Sequence, residues 1–199
     1  MKLVLIRHGQ TEWNAQRRTQ GQRDSPLTET GLRQADHLGQ RLRTLSPRAF
    51  FCSDTGRARK TADRITLANP GFPPVRPEPR LRELDFGEWE GLAHDEIRTR
   101  YPDLYRIYRS DPARFRAPGG EAFPDVQMRF LSFAEELHPE SDGTVIAVTH
   151  SGTIRVALLA LTGRPLSEVW ALPSVAETSV SVLSWERGAW RIESAAAVW

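Results

Sequence analysis

The sequence of 199 residues has one cysteine, two lysines and two methionines, and it contains no long apolar run. The single cysteine, Cys52, excludes an internal disulfide and is typical of proteins from a reducing compartment. No apolar stretch approaches the length of about 20 residues that a transmembrane helix requires. The apolar run at residues 3–6 is also too short for the core of a signal peptide, so we expect a cytoplasmic protein.

The charges of the chain nearly balance, because 27 lysine and arginine residues face 25 aspartate and glutamate residues. Such a balance does not predict the basic stripe of a nucleic-acid-binding protein. Almost all the cations are arginine, whose planar guanidinium suits bidentate binding of phosphate or carboxylate. GC-rich coding or adaptation to high temperature would give the same enrichment, so the composition alone does not assign a ligand.

Apolar strand patterns alternate with amphipathic helix patterns along the chain. Continuous apolar runs at residues 3–6, 49–52 and 144–148 predict strands that are buried on both faces of a parallel sheet. An alternating run at 179–185 predicts a further strand. The pattern as a whole predicts an α/β fold, namely a three-layer α/β/α sandwich with a mainly parallel sheet, in a single domain of residues 1–199.

Capping and turn residues indicate where several elements begin and end. Thr28 is a predicted N-cap, followed by leucine and alanine at helical spacing. The proline-rich stretch 70–79 predicts an extended connector. Further along, Pro102 and Pro112 divide a segment rich in tyrosine and arginine into short helices. The Glu-Arg-Gly sequence at 186–188 predicts a hairpin turn between the last two strands.

Two of the predicted strands end in a histidine beside small residues. The run 3–6 is followed by Arg7-His8-Gly9, and the run 144–148 by Thr149-His150-Ser151-Gly152. Ligands of open α/β sheets bind beyond the carboxyl ends of the strands, so both imidazoles are expected at one edge. Either histidine alone is equally well explained as a structural residue. The pair, with an arginine beside one of them, favours a shared site.

Arg57 is a third candidate for the same edge. If Ser53 or Asp54 caps the second helix, Arg57 lies in its first turn, where the helix dipole disfavours a cation. A residue that contradicts a local preference is a candidate functional residue. The alternative interpretation is a structural ion pair of Arg57 with Asp54 or Asp63.

Two arginines and two histidines at one edge would form an electropositive pocket suited to a phosphoryl group. A histidine can act there as the nucleophile, and an acidic group must then protonate the leaving oxygen. The pattern does not choose among the four nearby candidates, Glu83, Asp85, Glu88 and Glu90. Metal binding is disfavoured, because no ligand cluster accompanies the histidines and the arginines would repel a cation. We therefore expect neither a metal nor another cofactor.

Taken together, these motifs resemble the histidine phosphatase superfamily, which includes the cofactor-dependent phosphoglycerate mutases. The resemblance covers nearly the whole chain. It rests on the Arg-His-Gly-Gln-Thr run 7–11, Trp13-Asn14, Ser53-Asp54, Arg57-Ala58, Thr61-Ala62, the run 81–91 around Glu83, and Thr149-His150.

The resemblance implies a role for each matching residue. His8 would carry the phosphoryl group, and Glu83 would donate the proton. The phosphoryl oxygens would be held by Arg7, Arg57 and His150. The substrate side would be lined by four further residues, the last through its backbone N–H: Asn14, Gln20, Gly21 and Ser151.

The surroundings of Glu83 are similar to those in broad-specificity and α-ribazole phosphatases. The mutase branch has an Arg-His-Tyr run after the acid, which is missing here, and its chains are longer. The resemblance therefore predicts a phosphatase that hydrolyses small phosphomonoesters through a phosphohistidine on His8. A phosphoglycerate mutase and a non-catalytic phospho-ligand-binding module are the alternatives. A nucleic-acid binder using the arginines of 98–116 is less favoured, because Asp103 and Asp111 lie among them.

Some features of the chain bear on the substrate. Residues 92–123 are expected to form a small helical cap that shapes the pocket, and whether His94 reaches the site is left open. In the family that the chain resembles, a serine is common where this chain has Ala122, and an asparagine where it has Glu177. We expect neither residue to contact the phosphoryl pocket. The expected partner is a small phosphorylated metabolite, with no nucleic acid or membrane, and a homodimer is left open. Cys52 is expected in the core.

Overall fold

The structure is a computed structural model that describes residues 1–199. It contains six strands: Lys2–Arg7 (β1), Pro47–Cys52 (β2), Val75–Pro77 (β3), Thr144–Thr149 (β4), Val180–Glu186 (β5) and Ala189–Ala197 (β6). It also contains seven α-helices: Glu12–Ala15 (α1), Glu29–Arg41 (α2), Gly56–Ala68 (α3), His94–Arg100 (α4), Pro102–Ser110 (α5), Phe123–Glu135 (α6) and Ser151–Leu161 (α7). None of the helices combines the length and apolar character that crossing a membrane requires. The predicted α/β class is confirmed.

The six strands form one mixed sheet in the order β3-β2-β4-β1-β5-β6. The pairs β3–β2, β2–β4 and β4–β1 are parallel, whereas β5 is antiparallel to β1 and β6 is antiparallel to β5. The expectation of a parallel sheet therefore describes β1 to β4 only. The reason is that β5 begins at the carboxyl end of β1, where Arg7 N–H donates to the carbonyl of Ser179, and the predicted hairpin at 186–188 then forms β6.

Strand β1 contributes to two apolar cores, because successive side chains of a strand point to opposite faces. Leu3 and Leu5 belong to a cluster that includes residues of α6 and α7, and Val4 and Ile6 belong to one that includes residues of α2 and α3. Full burial of such a side chain stabilises the fold by roughly 1.5–3 kcal/mol. Burial on both faces explains the continuous apolar run and places the carboxyl end of β1 in a rigid frame.

N-cap residues determine where two helices begin. Helix α2 begins as predicted after Thr28, whose hydroxyl oxygen accepts a hydrogen bond from a first-turn N–H at 3.0 Å. The N-cap of α3 is Thr55, so the expectation that Ser53 or Asp54 caps it was wrong. Those two side chains have other partners: Ser53 bonds to an imidazole, and Asp54 pairs with Arg82.

The segment 92–123 contains α4 and α5, as its prolines predicted. Pro102 is the first residue of α5, and Pro112 follows its end. The aromatic side chains of this segment pack on Trp89, which is 1% exposed; its ring centroid lies 5.7 Å from that of Tyr108. This aromatic cluster holds the segment against the carboxyl edge of the sheet.

Two short elements were not predicted. Strand β3 lies within the proline-rich stretch 70–79, where only three residues pair with β2. Helix α1 lies in a polar loop and depends on a capping box between Thr11 and Asn14. Elements of three and four residues are too short to show a hydrophobic period, so the pattern could not reveal them.

Candidate active site

A cavity of about 240 Å³ lies at the carboxyl ends of the parallel strands. Eight of the nine site residues predicted from the sequence line it: Arg7, His8, Asn14, Gln20, Gly21, Arg57, Glu83 and Ser151. The ninth, His150, is fully buried beside the cavity and contacts Arg57. The structure therefore brings all nine residues together.

His8 directly follows β1 and is 3% exposed. Its Nδ1 lies 2.8 Å from the carbonyl oxygen of Gly9. A carbonyl oxygen only accepts, so Nδ1 carries the proton and Nε2 carries the lone pair. The Nε–H of Arg57 donates to this Nε2 at 3.2 Å. An unprotonated ring nitrogen on a residue that lines the cavity is the atom a histidine nucleophile needs.

His150 directly follows β4, and its ring centroid lies 5.1 Å from that of His8. The Nη2–H of Arg57 donates to Nδ1 of His150 at 3.2 Å. Nε2 therefore carries the proton and donates to the Ser53 hydroxyl oxygen at 2.9 Å. The two imidazoles thus have opposite tautomers, and one guanidinium bridges them.

Both imidazoles are held in the neutral form. Burial is the largest cause that lowers the pKa of His8 well below 6.5, and the positive charges of Arg57 and Arg7 lower it further. Burial, Arg57 and His8 act in the same direction on the pKa of His150. A neutral imidazole keeps its lone pair at neutral pH, so His8 needs no separate base.

Arg57 lies in the first turn of α3 and is 2% exposed. All five of its N–H groups have acceptors. Two face the imidazoles, and the others donate to the carbonyls of Gly21 and Arg23 at 2.6 and 2.7 Å and to the Asp24 carboxylate at 2.9 Å. Its ion-pair partner is thus Asp24, and neither Asp54 nor Asp63, the partners predicted from the sequence, pairs with it.

Arg7 is the last residue of β1 and also lines the cavity. Its Nη1–H donates to the carbonyl of Val175 at 2.6 Å, and its Nη2 lies 3.0 Å from a carboxylate oxygen of Glu177. Burial lowers the pKa of Arg7, and Glu177 and Glu83 partly offset this effect. The Nε–H of Arg7 is buried and has no partner. An orphaned buried donor is rare in proteins and indicates a missing acceptor.

The contact between Glu177 and Arg7 contradicts the expectation that Glu177 lies away from the phosphoryl pocket. The reason is that the loop before β5 returns to the end of β1, which brings two residues distant in sequence together. Ala122 does not line the cavity; it is the N-cap residue of α6. A carboxylate at position 177 adds a negative charge next to an arginine that faces the cavity.

We expect Glu177→Gln to tighten inhibition by orthovanadate by about 3- to 10-fold, because it keeps an acceptor for Arg7 but removes a charge that repels an oxyanion. The measurement is the inhibition constant against p-nitrophenyl phosphate at fixed pH. Glu186→Gln, which removes an exposed charge at the far end of β5, is the matched control. Unchanged or weaker inhibition by vanadate in Glu177→Gln would show that the carboxylate serves only to position Arg7.

Glu83 lies at the N-terminus of α7. One carboxylate oxygen accepts from Gly152 N–H at 2.9 Å, and the other from Leu84 N–H at 2.9 Å and Thr153 N–H at 3.2 Å. The backbone carbonyl of Glu83 accepts from Arg129 Nη2–H at 3.0 Å. The carboxyl group is therefore fixed at the cavity wall from both its side chain and its backbone.

Each of the two histidine motifs contains a glycine where the backbone packs too closely for a side chain. A Cβ at Gly152 would lie 2.5 Å from a carboxylate oxygen of Glu83, which is closer than atoms can approach. A Cβ at Gly9 would lie 2.6 Å from the carbonyl oxygen of Gly31. The glycines permit close approach of Glu83 to α7 and of the turn after His8 to α2.

The structure also separates the acidic candidates. Asp85 accepts from the N–H of a backbone turn, and Glu88 is exposed and accepts from the Tyr101 hydroxyl. Glu90 is buried and accepts from three backbone N–H groups. Of the four, only Glu83 lines the cavity.

The substrate-side residues present amide donors. Asn14 uses its amide oxygen to accept from Thr11, and Gln20 uses its amide oxygen to accept from Ser25. Both side chains line the cavity, and their NH₂ groups have no acceptor within the protein. Ser151 is the first residue of α7 and completes this side.

One part of the cavity lining, here called the distal wall, was mostly not predicted from the sequence. His94 does reach the cavity, and eight further lining residues were not singled out: Thr19, Leu84, Phe86, Tyr108, Phe123, Gly152, Arg155 and Trp170. Most are apolar or aromatic and look like core residues in a sequence. Arg155 was the one available signal, because it is the only charged residue of helix α7.

No group of three or more histidine, cysteine, aspartate or glutamate side chains is arranged to hold a metal ion. Cys52 is 1% exposed and lies in the core, as predicted. Burial raises the pKa of its thiol to about 12, so it does not form a thiolate at neutral pH.

A family profile described as "Histidine phosphatase superfamily (branch 1)" matches residues 3–197. The chain belongs to this superfamily. The predicted enzyme class, a phosphatase acting through a phosphohistidine, is confirmed by this membership.

Named relatives of this histidine phosphatase are similar over most of their length. A glucosyl-3-phosphoglycerate phosphatase of Mycolicibacterium vanbaalenii is 37% identical over 83% of this chain and 76% of the relative. Phosphoserine phosphatase 1 of Hydrogenobacter thermophilus is 33% identical over 86% of this chain and 81% of the relative. The solved structure of Bacillus stearothermophilus YhfR is 36% identical, covers 99% of this chain and 97% of its own, and superposes with a TM-score of 0.92.

Proposed function

We propose that this histidine phosphatase hydrolyses small phosphomonoesters with His8 as the nucleophile and Glu83 as the proton donor. One observation carries the proposal: the unprotonated Nε2 of His8 lies 3.2 Å from Nε of Arg57, in a cavity that Arg7 and Glu83 also line. Fixed donors aimed at developing charge are the main source of catalysis in phosphoryl transfer.

The phosphoryl group would bind between the arginines. The N–H groups by which Arg57 contacts the imidazoles would donate to its oxygens, and the guanidinium of Arg7, which lines the same cavity, would add a second positive charge. His150, whose other nitrogen is held by Ser53, would lie on the same side. Exchange of the Arg57–His8 hydrogen bond for a phosphoryl contact would release the lone pair of His8 for attack.

The reaction would then proceed in two steps. Nε2 of His8 forms a bond to phosphorus while the ester P–O bond breaks, and the leaving oxygen takes its proton from the carboxyl group of Glu83. In the second step the Glu83 carboxylate accepts a proton from water, which attacks phosphorus. The P–N bond breaks, its electron pair returns to Nε2, and inorganic phosphate leaves.

The proposal also includes the three-layer fold, the cap at residues 92–123 and a small phosphorylated metabolite as the substrate. The apolar clusters on the two faces of the sheet support a three-layer arrangement in one domain. His94 and Tyr108, which line the cavity, support a role for residues 92–123 as its cap. A small phosphorylated metabolite suits a cavity of about 240 Å³. The cytoplasmic location stays a prediction.

Hydrolysis of p-nitrophenyl phosphate is expected to persist in excess chelator, because arginine N–H groups neutralise the phosphoryl charge here. The measurement is the steady-state rate before and after exhaustive treatment with EDTA. Activity that disappears in chelator and returns with a divalent cation would contradict the proposal. Absence of turnover under all conditions would favour the non-catalytic phospho-ligand-binding module.

A second experiment separates hydrolysis from transfer. Incubation of 3-phosphoglycerate with a trace of 2,3-bisphosphoglycerate should release phosphate and glycerate. A mutase must instead shield its phosphohistidine from water and retain a bisphosphate intermediate. Rapid equilibration to 2-phosphoglycerate with negligible phosphate release would identify a phosphoglycerate mutase.

A further inference from the structure

The proposed proton donor, Glu83, lies on a segment without regular secondary structure. Residues 82–86 connect two short 3₁₀ turns, Pro79–Leu81 and Gly87–Trp89, and belong to no helix or strand. The hydrogen bonds of a helix or a sheet therefore do not hold the backbone of Glu83. Other groups must hold it, because a general acid has to stay within hydrogen-bond reach of the leaving oxygen.

Arg129, a residue of α6, holds this segment by its carbonyl oxygens. Its Nη1–H groups donate to the carbonyls of Arg80 and Arg82 at 2.7 and 2.6 Å. One of its Nη2–H groups donates to the carbonyl of Glu83 at 3.0 Å. A single guanidinium thus bridges three carbonyls within four residues, which fixes the path of the chain up to the proton donor.

Glu121 binds both Arg129 and the residues that follow the proton donor. One of its carboxylate oxygens accepts from Arg129 Nε–H at 3.1 Å, and the other accepts from Arg129 Nη2–H at 3.1 Å and from Asp85 N–H at 3.0 Å. The backbone N–H of Glu121 also donates to the carbonyl of Asp85 at 2.9 Å. A bidentate pair of this kind fixes the orientation of the guanidinium. Arg129 and Glu121, here called the clamp, therefore hold the backbone on both sides of Glu83.

The clamp is largely buried, although it is not part of the cavity. Arg129 lies three residues after Val126 and four before Phe133, which are both buried, so it stands on the apolar face of α6. Its side chain is 17% exposed, and all five of its N–H groups have acceptors. Neither Arg129 nor Glu121 lines the cavity. A charge on an apolar face is costly unless it is paired and hydrogen-bonded, and here its partners are the segment of Glu83 and the carboxylate that binds the same segment.

The clamp differs from the contacts that hold the side chain of Glu83. The N–H groups of Gly152 and Thr153 donate to the carboxylate oxygens. Hydrogen bonds to a charged acceptor are about twice as strong as neutral ones, so these contacts weaken when Glu83 carries the proton that it donates. The clamp contacts only backbone atoms of the segment, so its strength does not depend on the protonation of Glu83. It is the support that persists in the reactive form.

We propose that Arg129 and Glu121 are positioning residues that keep Glu83 in place for proton transfer to the leaving oxygen. The inference rests on the proposed function, in which Glu83 is the proton donor, and it adds two residues that do not touch the substrate. A misplacement of about 1 Å at the reacting groups can cost about 10²-fold in rate. Loss of the clamp should therefore slow those reactions that need the proton.

The test is the ratio of kcat/KM for glycerol 3-phosphate to kcat/KM for p-nitrophenyl phosphate, since only the alkyl ester needs a proton on its leaving oxygen. This parameter reports the steps up to the phosphohistidine, so hydrolysis of that intermediate does not enter. Arg129→Met is expected to lower the ratio by about 10- to 100-fold. Arg129→Lys, which keeps the charge and some of the N–H donors, should give an intermediate ratio. A general loss of structure would slow both substrates alike.

A double variant tests whether the clamp acts through Glu83. Glu83→Gln removes the donated proton, so the addition of Arg129→Met should not lower the ratio further. Losses that add up in the double variant, or equal losses on both substrates in folded Arg129→Met, would overturn the inference alone. If Glu83→Gln by itself leaves the ratio unchanged, the proposed proton donor is wrong and the inference fails with it.

Arg80→Met is the matched control. Arg80 also joins this region to the end of α6, through the Glu136 carboxylate at 2.7 and 2.8 Å, but its side chain makes no hydrogen bond to residues 81–85. Its substrate ratio should equal that of the wild-type enzyme.

Thermal unfolding midpoints report whether each variant is folded. If Arg129→Met does not fold, Glu121→Gln decides the question, because it keeps the size of the side chain but has one acceptor oxygen where the clamp uses two. It is expected to lower the ratio by about 3- to 10-fold, the effect of one lost hydrogen bond. An unchanged ratio in Glu121→Gln would then overturn the inference.

Discussion

His8→Ala is expected to lower kcat for p-nitrophenyl phosphate by on the order of 10⁴-fold or more, because it removes the lone pair that attacks phosphorus in the proposed mechanism. Alkaline quenching of the wild-type enzyme with ³²P-labelled substrate should trap a labelled protein, since phosphohistidine survives at high pH. The label should map to His8 and be absent from the variant. The fold should persist, because no charge is left unpaired by the change.

His37→Ala is the matched control, since His37 is an exposed histidine on α2 and lies outside the cavity lining. It should retain both turnover and label. Ser53 is the competing nucleophile, because its hydroxyl is hydrogen-bonded to His150 at 2.9 Å. Label on Ser53, or labelling that persists in His8→Ala, would contradict the role of His8.

The parts of the site that could be predicted from the sequence are those that depend on strand ends. A continuous apolar run indicates a strand buried on both faces, and its last residue is placed at a known edge of the sheet. His8 and His150 follow from that rule. Arg57 followed from a different one, because a cation in the first turn of a helix opposes the dipole.

The pairings within the site could not be predicted in the same way. Asp24 pairs with Arg57, and Glu177 with Arg7, although 33 and 170 residues separate them along the chain. Hydrophobic periodicity indicates which face of an element is buried, and it does not indicate which loops meet above the sheet. The expectation about Glu177 failed for this reason.

The distal wall was hidden for another reason. Tyr108, Phe123 and Trp170 have the composition of a core, and they do pack in an aromatic cluster. The same side chains also line the cavity, so one set of residues serves both packing and substrate binding. Local sequence cannot separate these roles, because it contains no information on which side of the cluster remains open.

Glu83→Gln is expected to slow hydrolysis of glycerol 3-phosphate by about 10²- to 10⁴-fold, the usual contribution of general acid catalysis. Its effect on p-nitrophenyl phosphate should be far smaller, because p-nitrophenolate is stable enough to leave without a proton. The measurement is the ratio of kcat/KM for the two substrates in each variant. A glutamine can accept from Gly152 or Thr153 but has no proton to give to an alkoxide.

Glu88→Gln provides the control, because Glu88 belongs to the same acidic run but is exposed and bonds to Tyr101. It should leave the ratio of the two substrates unchanged. Glu83→Ala tests the same point without introducing an amide. Because this variant also lacks the carboxyl group, its kcat/KM should fall mainly for the alkyl ester. Equal losses on both substrates in both Glu83 variants would mean that Glu83 holds the first turn of α7 in place. The proton would then have to reach the leaving oxygen from a group other than His150, since the Nε2–H of His150 is hydrogen-bonded to Ser53.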